Sequence, residues 1–444
     1  MIAGPAAIVL AAPASGSGKT LVTLGLLAAL TRRGMRVASA KIGPDYIDPA
    51  FHRAATGRPC LNLDSWAMRP ATLAGVAAAL GTGSELIVCE GVMGLFDGAE
   101  TPDGPDGSTA DLAARAGWPV ILVVDGRGMA ASAAPLVAGF ARARSDCRVA
   151  GVVFNRISGE KHRRMIAAAM DRHCPEVTVL GFIPRLEAIA VPSRHLGLVQ
   201  AGEHPALAGL IDAAAAAVST HVDLDRLVAL ARPGRPGAVG DGAPLLPPLG
   251  QRIAVAEDDA FAFAYPAILD GWRRQGAEIL PFSPLADQAP AVDADSVYLP
   301  GGYPELHAGR LAANGAFLAG LKRAAAADAW IYGECGGYMV LGTGLTDADG
   351  ARHAMAGLLP VATDAAPARP ILGYRRAALL TDTPLGPAKA RFRGHEFHMA
   401  RIHEEGAGPR LFTATDAMGA ALADSGHRRG RVFGSFLHLI DREA

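Results

Sequence analysis

The sequence has no marked excess of charge of either sign and no long apolar run, and each absence excludes a class of protein. Lys and Arg total 42 and Asp and Glu total 43, so the net charge of −1 gives no global attraction to nucleic acid or an anionic membrane. No stretch reaches about 18 uninterrupted apolar residues, so we expect no membrane span. Neither nucleic acid nor a membrane is an expected partner.

Cysteine is scarce and scattered. The five cysteines form no C-x-x-C pair and their number is odd. That pattern argues against a zinc ribbon or a disulfide framework and fits a reducing, cytoplasmic setting. The first 20 residues carry no basic n-region and run straight into a glycine-rich motif, so we expect a first strand rather than a signal peptide.

Apolar residues make up half of the 444 positions, which is enough for two or three domains with large cores. Short Val/Ile-rich runs alternate with Ala/Leu-rich amphipathic stretches in the first half, an order typical of βαβ units. The runs that we predict to be buried parallel strands are 6–12, 36–42, 85–90, 119–125 and 149–155. The rhythm predicts a doubly wound parallel sheet in residues 1–230, with ligands at the carboxyl ends of its strands.

Proline and glycine dominate residues 231–250, and this stretch shows no hydrophobic periodicity of a helix or a strand. We predict an interdomain linker there. A second α/β pattern begins after it, with predicted strands at 252–258 and 296–302 and another in WIYGECGG, which starts at residue 330. We therefore predict a second α/β domain over residues 251–444.

The stretch APASGSGKT (12–20) lies between a predicted strand and a predicted helix. Backbone N–H groups of such a loop can cradle phosphates, while Lys19 reaches the outer phosphates and the Thr20 hydroxyl binds Mg²⁺. The match to G-x-x-x-x-G-K-[ST] fails at Pro13, which leaves an ordinary glycine-rich turn as the alternative. The predicted nucleotide-binding residues are Ser15, Gly16, Ser17, Gly18, Lys19 and Thr20.

Acids follow two further predicted strands. KIGPDYIDPAFH (41–52) contains Asp45 and Asp48, and EGVMGLFDG (90–98) contains Glu90 and Asp97. Carboxylates at the ends of adjacent parallel strands suit a Mg²⁺ that keeps water and nucleotide oxygens as its other ligands. Asp45 and Glu90 are our first choices, with solvated loop acids as the alternative. Asn155, at another strand end, is a candidate for reading adenine.

Cys335 ends an apolar run in WIYGECGGYMVLG (330–342), with glycine two residues before it and two directly after. A buried cysteine can simply be a small hydrophobic residue. The alternative is a nucleophile on a sharp strand-to-helix turn, which requires neighbours without side chains. The N–H groups of Gly302 and Gly336 are our candidates for an oxyanion hole.

A nucleophilic thiol needs a base, because a free thiol is only a few per cent ionised near neutrality. His438 in VFGSFLHLI is our candidate, although Ile440 stands where a third triad member could have been. The competing histidines are His395, His398 and His403 in RGHEFHMARIH. That segment lacks H-E-x-x-H spacing, so a structural role is favoured over a metal site.

These motifs together resemble the cobyrinic acid a,c-diamide synthase family, in its cobalt-dependent or its metal-free branch. The other matching stretches are VPSRHLGLV, LPGGYPELHA and GSFLHL, and all lie in the expected order. The resemblance implies an ATP-dependent synthetase domain similar to dethiobiotin synthetase, joined to a class I glutamine amidotransferase domain. The family's phosphate loop is a deviant one, which accounts for Pro13, and its glutaminase uses Cys and His without the usual Glu, which accounts for Ile440.

The implied reaction amidates the a and c acetate side chains of a corrin acid, with ATP, Mg²⁺ and L-glutamine. On that basis Lys41, Asp45, Tyr46 and Asp97 become candidates for binding the corrin carboxylate or a phosphate. Arg194 and His195 are further candidates for the nucleotide or the corrin. The compact length favours metal-free hydrogenobyrinic acid over cobyrinic acid.

Three rival hypotheses remain. The chain could amidate other corrin carboxylates or a nickel tetrapyrrole, it could be a ParA-like nucleotide switch, or it could be a glutaminase with a degenerate nucleotide site. A nucleotide switch would not need Cys335 and His438. The intact Lys19 argues against a glutaminase with a degenerate nucleotide site. A homodimer is one assembly compatible with the sequence.

Overall fold

The computed structural model describes residues 5–102, 104–185, 193–194, 197–198, 200–235, 245–365 and 370–443. The chain forms two compact units. Unit 1 comprises Met1–Trp66, Pro70–Ala99 and Asp103–Gly242, and unit 2 comprises Ala67–Arg69, Glu100–Pro102 and Ala243–Ala444. No helix in the described ranges is both long enough and apolar enough to cross a membrane.

A largely parallel sheet forms the centre of unit 1. Among the described residues its strand order is β3-β2-β4-β1-β5-β6-β7, and the short β10 pairs antiparallel with β1. A separate two-stranded pair is formed by β8 and β9. The strands are β1 (Ala6–Ala11), β2 (Val37–Ile42), β3 (Cys60–Leu63), β4 (Leu86–Glu90), β5 (Val120–Asp125), β6 (Val149–Ile157), β7 (Thr178–Pro184), β8 (Ser193–Arg194), β9 (Gly197–Leu198) and β10 (Arg232–Pro233).

Helices connect these strands, as parallel pairing requires. The two helices that matter for the site are α1, which starts at the end of the glycine-rich loop, and α2, which follows β2. The helices of unit 1 are α1 (Lys19–Arg32), α2 (Ile47–Thr56), α3 (Pro70–Gly81), α4 (Thr109–Ala116), α5 (Ala133–Arg142), α6 (Glu160–His173), α7 (Leu207–His221) and α8 (Leu224–Leu230).

Unit 2 has a parallel half and an antiparallel half in one sheet. The order is β12-β11-β13-β14-β23-β22-β21-β18-β19-β24; the strands from β12 to β23 are parallel and the rest antiparallel. A smaller sheet has the order β16-β15-β17-β20. The strands are β11 (Arg252–Ala256), β12 (Glu278–Phe282), β13 (Ser296–Leu299), β14 (Trp330–Glu334), β15 (Gly344–Thr346), β16 (Arg352–Ala354), β17 (Val361–Asp364), β18 (Ile371–Leu379), β19 (Arg391–His398), β20 (Arg401–Glu405), β21 (Arg410–Asp416), β22 (Ser425–Arg429), β23 (Val432–Ser435) and β24 (His438–Arg442).

The helices of unit 2 are α9 (Pro266–Arg274), α10 (Ala308–Ala313), α11 (Gly315–Ala326) and α12 (Gly336–Leu341). Its core contains Phe261, Phe317 and Tyr338, together with the side chain of Cys335. The helix α12 is short and fully buried, and it begins directly after that cysteine.

The sequence analysis predicted an α/β fold with two sheet-containing domains, and this prediction is confirmed. The five strands predicted in the first half correspond to β1, β2, β4, β5 and β6. The boundaries 1–230, 231–250 and 251–444 stay predictions, because residues 236–244 of the linker lie outside the described residues. Within that linker, Arg232–Pro233 pair with β1 instead of forming a free connection.

Candidate active sites

The glycine-rich loop of unit 1 joins β1 directly to α1. Gly18 lies at the start of α1 with φ of +91°, a conformation that a residue with a Cβ rarely adopts. A Cβ at Gly18 would also collide with the amide of Asn155. The Ser17 hydroxyl donates to the carbonyl of Ala14 at 2.8 Å, which closes the loop on itself. The loop is thus held in shape at the N-terminus of a helix, which is a favourable place for phosphate.

Strand register brings the predicted polar groups together. In the parallel pairs, Glu90 is the register partner of Leu10 on one side and of Lys41 on the other. The Thr20 hydroxyl donates to Oε1 of Glu90 at 2.7 Å. The buried ammonium of Lys19 donates to the carbonyl of Met93 at 3.2 Å, and burial followed by the charge of Lys41 lowers its pKa.

Lys41 lies among three carboxylates. Its Nζ is 2.5 Å from Oδ2 of Asp48, 3.2 Å from Oε1 of Glu90 and 3.7 Å from Oδ2 of Asp45. Burial alone would lower the pKa of Lys41, but the carboxylates, led by that of Asp48, raise it well above its usual value. The ammonium therefore stays charged and neutralises part of this acidic cluster.

His52 is part of the same cluster, and the sequence analysis gave it no role. Its Nε2 is 2.7 Å from Oε2 of Glu90, its Nδ1 is 3.5 Å from the thiol of Cys60, and the ring is fully buried. Burial lowers the pKa of His52, but hydrogen bonds to Cys60 and Glu90 outweigh it and raise the pKa to about 10. The one available signal was helical spacing, because His52 follows Asp48 by four residues on α2.

Glu90 is consequently an anion held by cations. Burial on its own raises the pKa of Glu90, but Lys41 and His52 together hold it well below its usual range. Asp48 differs, because burial and the neighbouring Asp45 raise its pKa despite the contact with Lys41.

The oxygen atoms of this cluster suit a magnesium ion. Oδ2 of Asp48 lies 3.4 Å from the Thr20 hydroxyl, and Glu90 approaches that hydroxyl from the other strand. In the part of the chain that the structure describes, no group of three or more His, Cys, Asp or Glu residues is arranged to hold a metal. Two carboxylates and a hydroxyl are nevertheless the hard donors with which Mg²⁺ combines water and phosphate oxygens.

The remaining predicted residues of unit 1 have structural contacts of their own. Asn155 donates to the carbonyl of Ser17 at 3.0 Å and accepts from the N–H of Arg156 at 2.9 Å, so it supports the loop; its role toward adenine stays a prediction. Arg156, which sequence reasoning missed, donates to the carbonyl of Gly16 at 2.7 Å and to Asp125 at 2.6 Å.

Two of the predicted substrate ligands, Asp45 and Asp97, shape their own loops. Asp45 accepts from the N–H of Ile47 at 2.7 Å at the start of α2, where Tyr46 is nearly buried. Asp97 accepts from the N–H of Gly94 at 2.8 Å. Ser15 is exposed at the tip of the loop. Of the further candidates, His195 and the side chain of Arg194 lie outside the described residues.

In unit 2, Cys335 lies on the sharp turn between β14 and α12. Its φ of +47° and ψ of −105° are unusual for a residue with a side chain, and its N–H donates to the carbonyl of Ser435 at 2.8 Å. Such strained dihedrals occur where a nucleophile is presented between a strand and a helix. The Cys335 thiol, 3% exposed, donates a weak hydrogen bond to the carbonyl of Phe397 at 3.8 Å.

The imidazole of His438 and the side chain of Cys335 both lie against Gly301. A Cβ added to Gly301 would lie 3.3 Å from Cβ of Cys335 and 3.2 Å from Nε2 of His438. Glycine at this position therefore leaves room for both side chains. The ring of His438 stacks on that of His395, with centroids 4.9 Å apart and planes 12° apart. The two histidines are also register partners of β19 and β24.

The competing histidines have other contacts. His395 shares a 3.0 Å hydrogen bond with the hydroxyl of Tyr265, and Nδ1 of His398 lies 2.6 Å from the carbonyl of Ala400. His403 is exposed on β20. Of the four candidates, His438 is the one whose ring lies against Gly301 together with the side chain of Cys335, and its role as the base stays a prediction.

Burial favours the neutral form of both the Cys335 thiol and the His438 imidazole. Burial lowers the pKa of His438 well below its usual value, and His395 adds to that effect. Burial also raises the pKa of the Cys335 thiol well above its usual value, and the charge of Glu305 acts in the same direction. A neutral imidazole beside a protonated thiol is the arrangement that general-base activation starts from.

The two candidate oxyanion donors come from different turns that meet at the cysteine. A Cβ at Gly336 would lie 3.1 Å from the backbone nitrogen of Gly302, so the two N–H groups are near neighbours. Gly302 is itself fixed against the carbonyl of Ala260, where a side chain would collide. The geometry is suitable for two converging donors, and their catalytic role stays a prediction.

Family models match both halves of the chain. Residues 8–199 match the CobQ/CobB/MinD/ParA nucleotide binding domain, and residues 252–444 match the CobB/CobQ-like glutamine amidotransferase domain. Three similar relatives are each named hydrogenobyrinate a,c-diamide synthase. They are from Sinorhizobium sp (54% identical, over 98% of both chains), Brucella anthropi (52%, over 97% of this chain and 98% of the relative) and Rhodobacter capsulatus (52%, over 99% and 100%).

Proposed function

The chain belongs to the family of the hydrogenobyrinate a,c-diamide synthases, and from that premise we propose that it amidates the a and c acetate carboxylates of hydrogenobyrinic acid. Glutamine supplies the nitrogen and ATP supplies the energy. The proposal is supported by the presence, in one chain, of a glycine-rich loop that leads into α1 in unit 1 and of Cys335 and His438 close to Gly301 in unit 2.

Glutamine is hydrolysed in unit 2. His438 takes the proton of the Cys335 thiol, and the thiolate attacks the side-chain amide carbon of glutamine. The N–H groups of Gly302 and Gly336 bind the oxyanion, and the imidazolium returns its proton to the departing ammonia. Water then hydrolyses the thioester, so the products are glutamate, ammonia and the free thiol.

The corrin carboxylate is activated in unit 1. A carboxylate resists attack by ammonia until one oxygen becomes a good leaving group. The corrin carboxylate therefore attacks the γ-phosphorus of ATP, ADP departs, and an acyl phosphate forms. Ammonia attacks the acyl carbon, phosphate leaves with the C–O electron pair, and the amide loses its extra proton. One cycle serves each of the two carboxylates.

The residues of unit 1 bind and orient the reactants. The loop N–H groups from Ser15 to Lys19 hold phosphate oxygens, and the buried ammonium of Lys19 counters the charge that develops on them. Thr20 and Glu90 would hold Mg²⁺, which supplies further charge neutralisation on the phosphates. We propose Asp48 as the third ligand in place of our first choice Asp45, because Oδ2 of Asp48 lies 3.4 Å from the Thr20 hydroxyl while Oδ1 of Asp45 accepts backbone N–H groups of α2. Lys41 and Tyr46, with Asp45 and Asp97 on the adjoining loops, are proposed to face the corrin carboxylate.

The test supplies the purified chain with ATP, Mg²⁺ and glutamine, and with hydrogenobyrinic and cobyrinic acids in parallel reactions. Products are identified by mass, and the amidated side chains are located by NMR. We expect the a,c-diamide from hydrogenobyrinic acid. Amides on other carboxylates would contradict the proposal. The absence of any amidation of both acids would contradict it as well.

A further inference from the structure

A second carboxylate is buried beside the proposed nucleophile. Glu334 is the last residue of β14, directly before Cys335, and it is 2% exposed. Its Oε2 accepts from the hydroxyl of Tyr298 at 2.7 Å, and its Oε1 accepts from that of Tyr332 at 2.7 Å. Oε1 also accepts from the backbone N–H of Leu439 at 3.1 Å. No step described above uses this group.

The contact with Leu439 acts on the strand that carries the proposed base. Leu439 directly follows His438 at the start of β24, and β24 is the last strand of its sheet in the described part of unit 2. An edge strand has N–H groups without a ladder partner on its outer side. The Glu334 carboxylate accepts one of them, so a side chain from the cysteine strand fixes the backbone beside His438.

The pairing of β24 has an irregularity at this point. Gly394 pairs with Leu439 and Arg393 pairs with Asp441, so Ile440 is an extra residue in a β-bulge. Bulges re-aim neighbouring side chains and weaken the local ladder. Ile440 also occupies the position where a carboxylate could have oriented the imidazole. The bulge therefore leaves the direction of His438 dependent on other contacts.

The tyrosines make the Glu334 carboxylate a rigid anchor. Tyr298 and Tyr332 are register partners on β13 and β14, and their rings stack with centroids 5.7 Å apart. Tyr332 also stacks on Phe433 at 4.8 Å. Because both phenols are buried and packed, each hydroxyl has little freedom, and together with the N–H they fix both carboxylate oxygens.

We propose that Glu334 is a positioning residue for glutamine hydrolysis, which holds the backbone beside His438 at the distance from Cys335 that proton transfer requires. The inference rests on the proposed function of the Cys335–His438 pair. In a catalytic triad an acid orients the histidine through a hydrogen bond to the imidazole ring. Here Glu334 would orient His438 through the backbone N–H of the next residue, Leu439. An apolar side chain could fill the same space, but it could not accept the N–H of Leu439.

The experiment follows the reaction of Cys335 with a chloroketone analogue of glutamine, by intact mass against time. Glu334→Gln keeps the shape but puts a donor where the carboxylate has only acceptors. We expect its alkylation rate to fall about 10- to 100-fold, less than the 10²–10⁴-fold that a general base contributes. Alkylation should still reach one label per chain. Cys335→Ala gives the background, and Glu278→Gln, the same change at an exposed site on β12, is the matched control.

Rate and extent separate positioning from folding. A merely structural role would lower the fraction of chains that react and leave the rate of the reactive fraction unchanged, and that result would overturn the proposal. An unchanged rate and extent would overturn it as well. If wild type hydrolyses no glutamine, the proposed function fails first, which distinguishes the two failures.

Milder variants test the proposal if Glu334→Gln does not fold. Tyr298→Phe and Tyr332→Phe each remove one donor to the carboxylate and keep the packed ring. Because one hydrogen bond contributes about 1 kcal/mol, we expect a fall of about threefold to tenfold in alkylation rate for each. Wild-type rates in both variants would overturn the positioning role.

Discussion

Glu90 and Glu334 occupy equivalent places in the two units. Each is the last residue of a buried parallel strand, and each side chain is almost fully inaccessible to solvent. Their surroundings differ completely: Glu90 contacts the cations Lys41 and His52, whereas Glu334 contacts two phenols and a backbone N–H. The same residue type at the same kind of strand end therefore has two electrostatic roles.

The pKa values follow the surroundings. The cations hold the pKa of Glu90 well below its usual range, whereas burial raises the pKa of Glu334 to about 7 because neutral donors offset it only in part. Unit 1 thus has a site of fixed charges, suited to phosphates and a metal ion. Unit 2 has a site of nearly neutral groups, suited to moving one proton between a thiol and an imidazole.

The largest expected effect concerns the neutral site. His438→Ala should lower glutamine hydrolysis by about 10²–10⁴-fold, because the variant loses the general base. Ammonia-dependent amidation should be unchanged. Ammonia release from glutamine is the measurement, and His403→Ala, at an exposed histidine, is the control. Loss in the control and not in His438→Ala would transfer the role to His403.

The charged site should respond to Lys19→Ala. Removing one positively charged donor from the phosphates should lower amidation by about 10²–10³-fold with either nitrogen source, in line with the loss of one preorganised transition-state contact. ADP formation is the measurement, with Lys161→Ala on the exposed surface of α6 as the control. A Lys19→Ala variant that keeps wild-type ADP formation would remove the phosphate-loop assignment.

His52→Gln tests whether the cations around Glu90 matter. The amide can still donate to Glu90 but carries no charge, so we expect the magnesium requirement for ammonia-dependent amidation to rise by about 10- to 100-fold, as for other partners of metal ligands. His173→Gln, at an exposed histidine of α6, is the control. An unchanged magnesium dependence would show that Glu90 is oriented without His52.

The last two predictions concern stability and not activity, and the sign of the effect differs between the two glutamates. The folded-state pKa of Glu334 is about 7 against 4.5, so its contribution to stability is full at low pH and is lost as the pH rises through 7. The free energy of unfolding of Glu334→Gln, relative to that of wild type, should therefore increase by roughly 3 kcal/mol between pH 5 and 8.

Glu90 should show the opposite trend. The pKa of Glu90 is lowered from 4.5, so its contribution is present above pH 4.5 and is lost as the pH falls below that value toward the folded-state pKa. Glu90→Gln should therefore be less stable than wild type near neutrality and approach it in acid. Denaturant unfolding with EDTA present measures both variants. Parallel pH trends would contradict the comparison.

The sequence was sufficient for the parts of the sites that depend on strand ends. Lys19 and Thr20 follow β1 and Glu90 ends the adjacent parallel strand β4, so a βαβ pattern alone brings them together. The turn at Cys335 was also recognisable from the sequence, because glycines flank the cysteine at the end of a predicted strand.

The partners of these residues were not predictable in the same way. Leu439 lies far from Glu334 in sequence, and their contact lies next to a bulge in β24 that no sequence periodicity predicts. The antiparallel half of the large sheet in unit 2 was missed because strands such as β18 and β22 contain adjacent arginines and show little apolar alternation.

Substitution of Cys335 by alanine, with glutamine and then ammonium as the nitrogen source, tests the separation of the two sites most directly. Amide formation on hydrogenobyrinic acid is measured by mass in both cases. The account predicts that Cys335→Ala forms no amide from glutamine and forms it at the wild-type rate from ammonium. Amide formation from glutamine, or loss of the reaction with both sources, would contradict it.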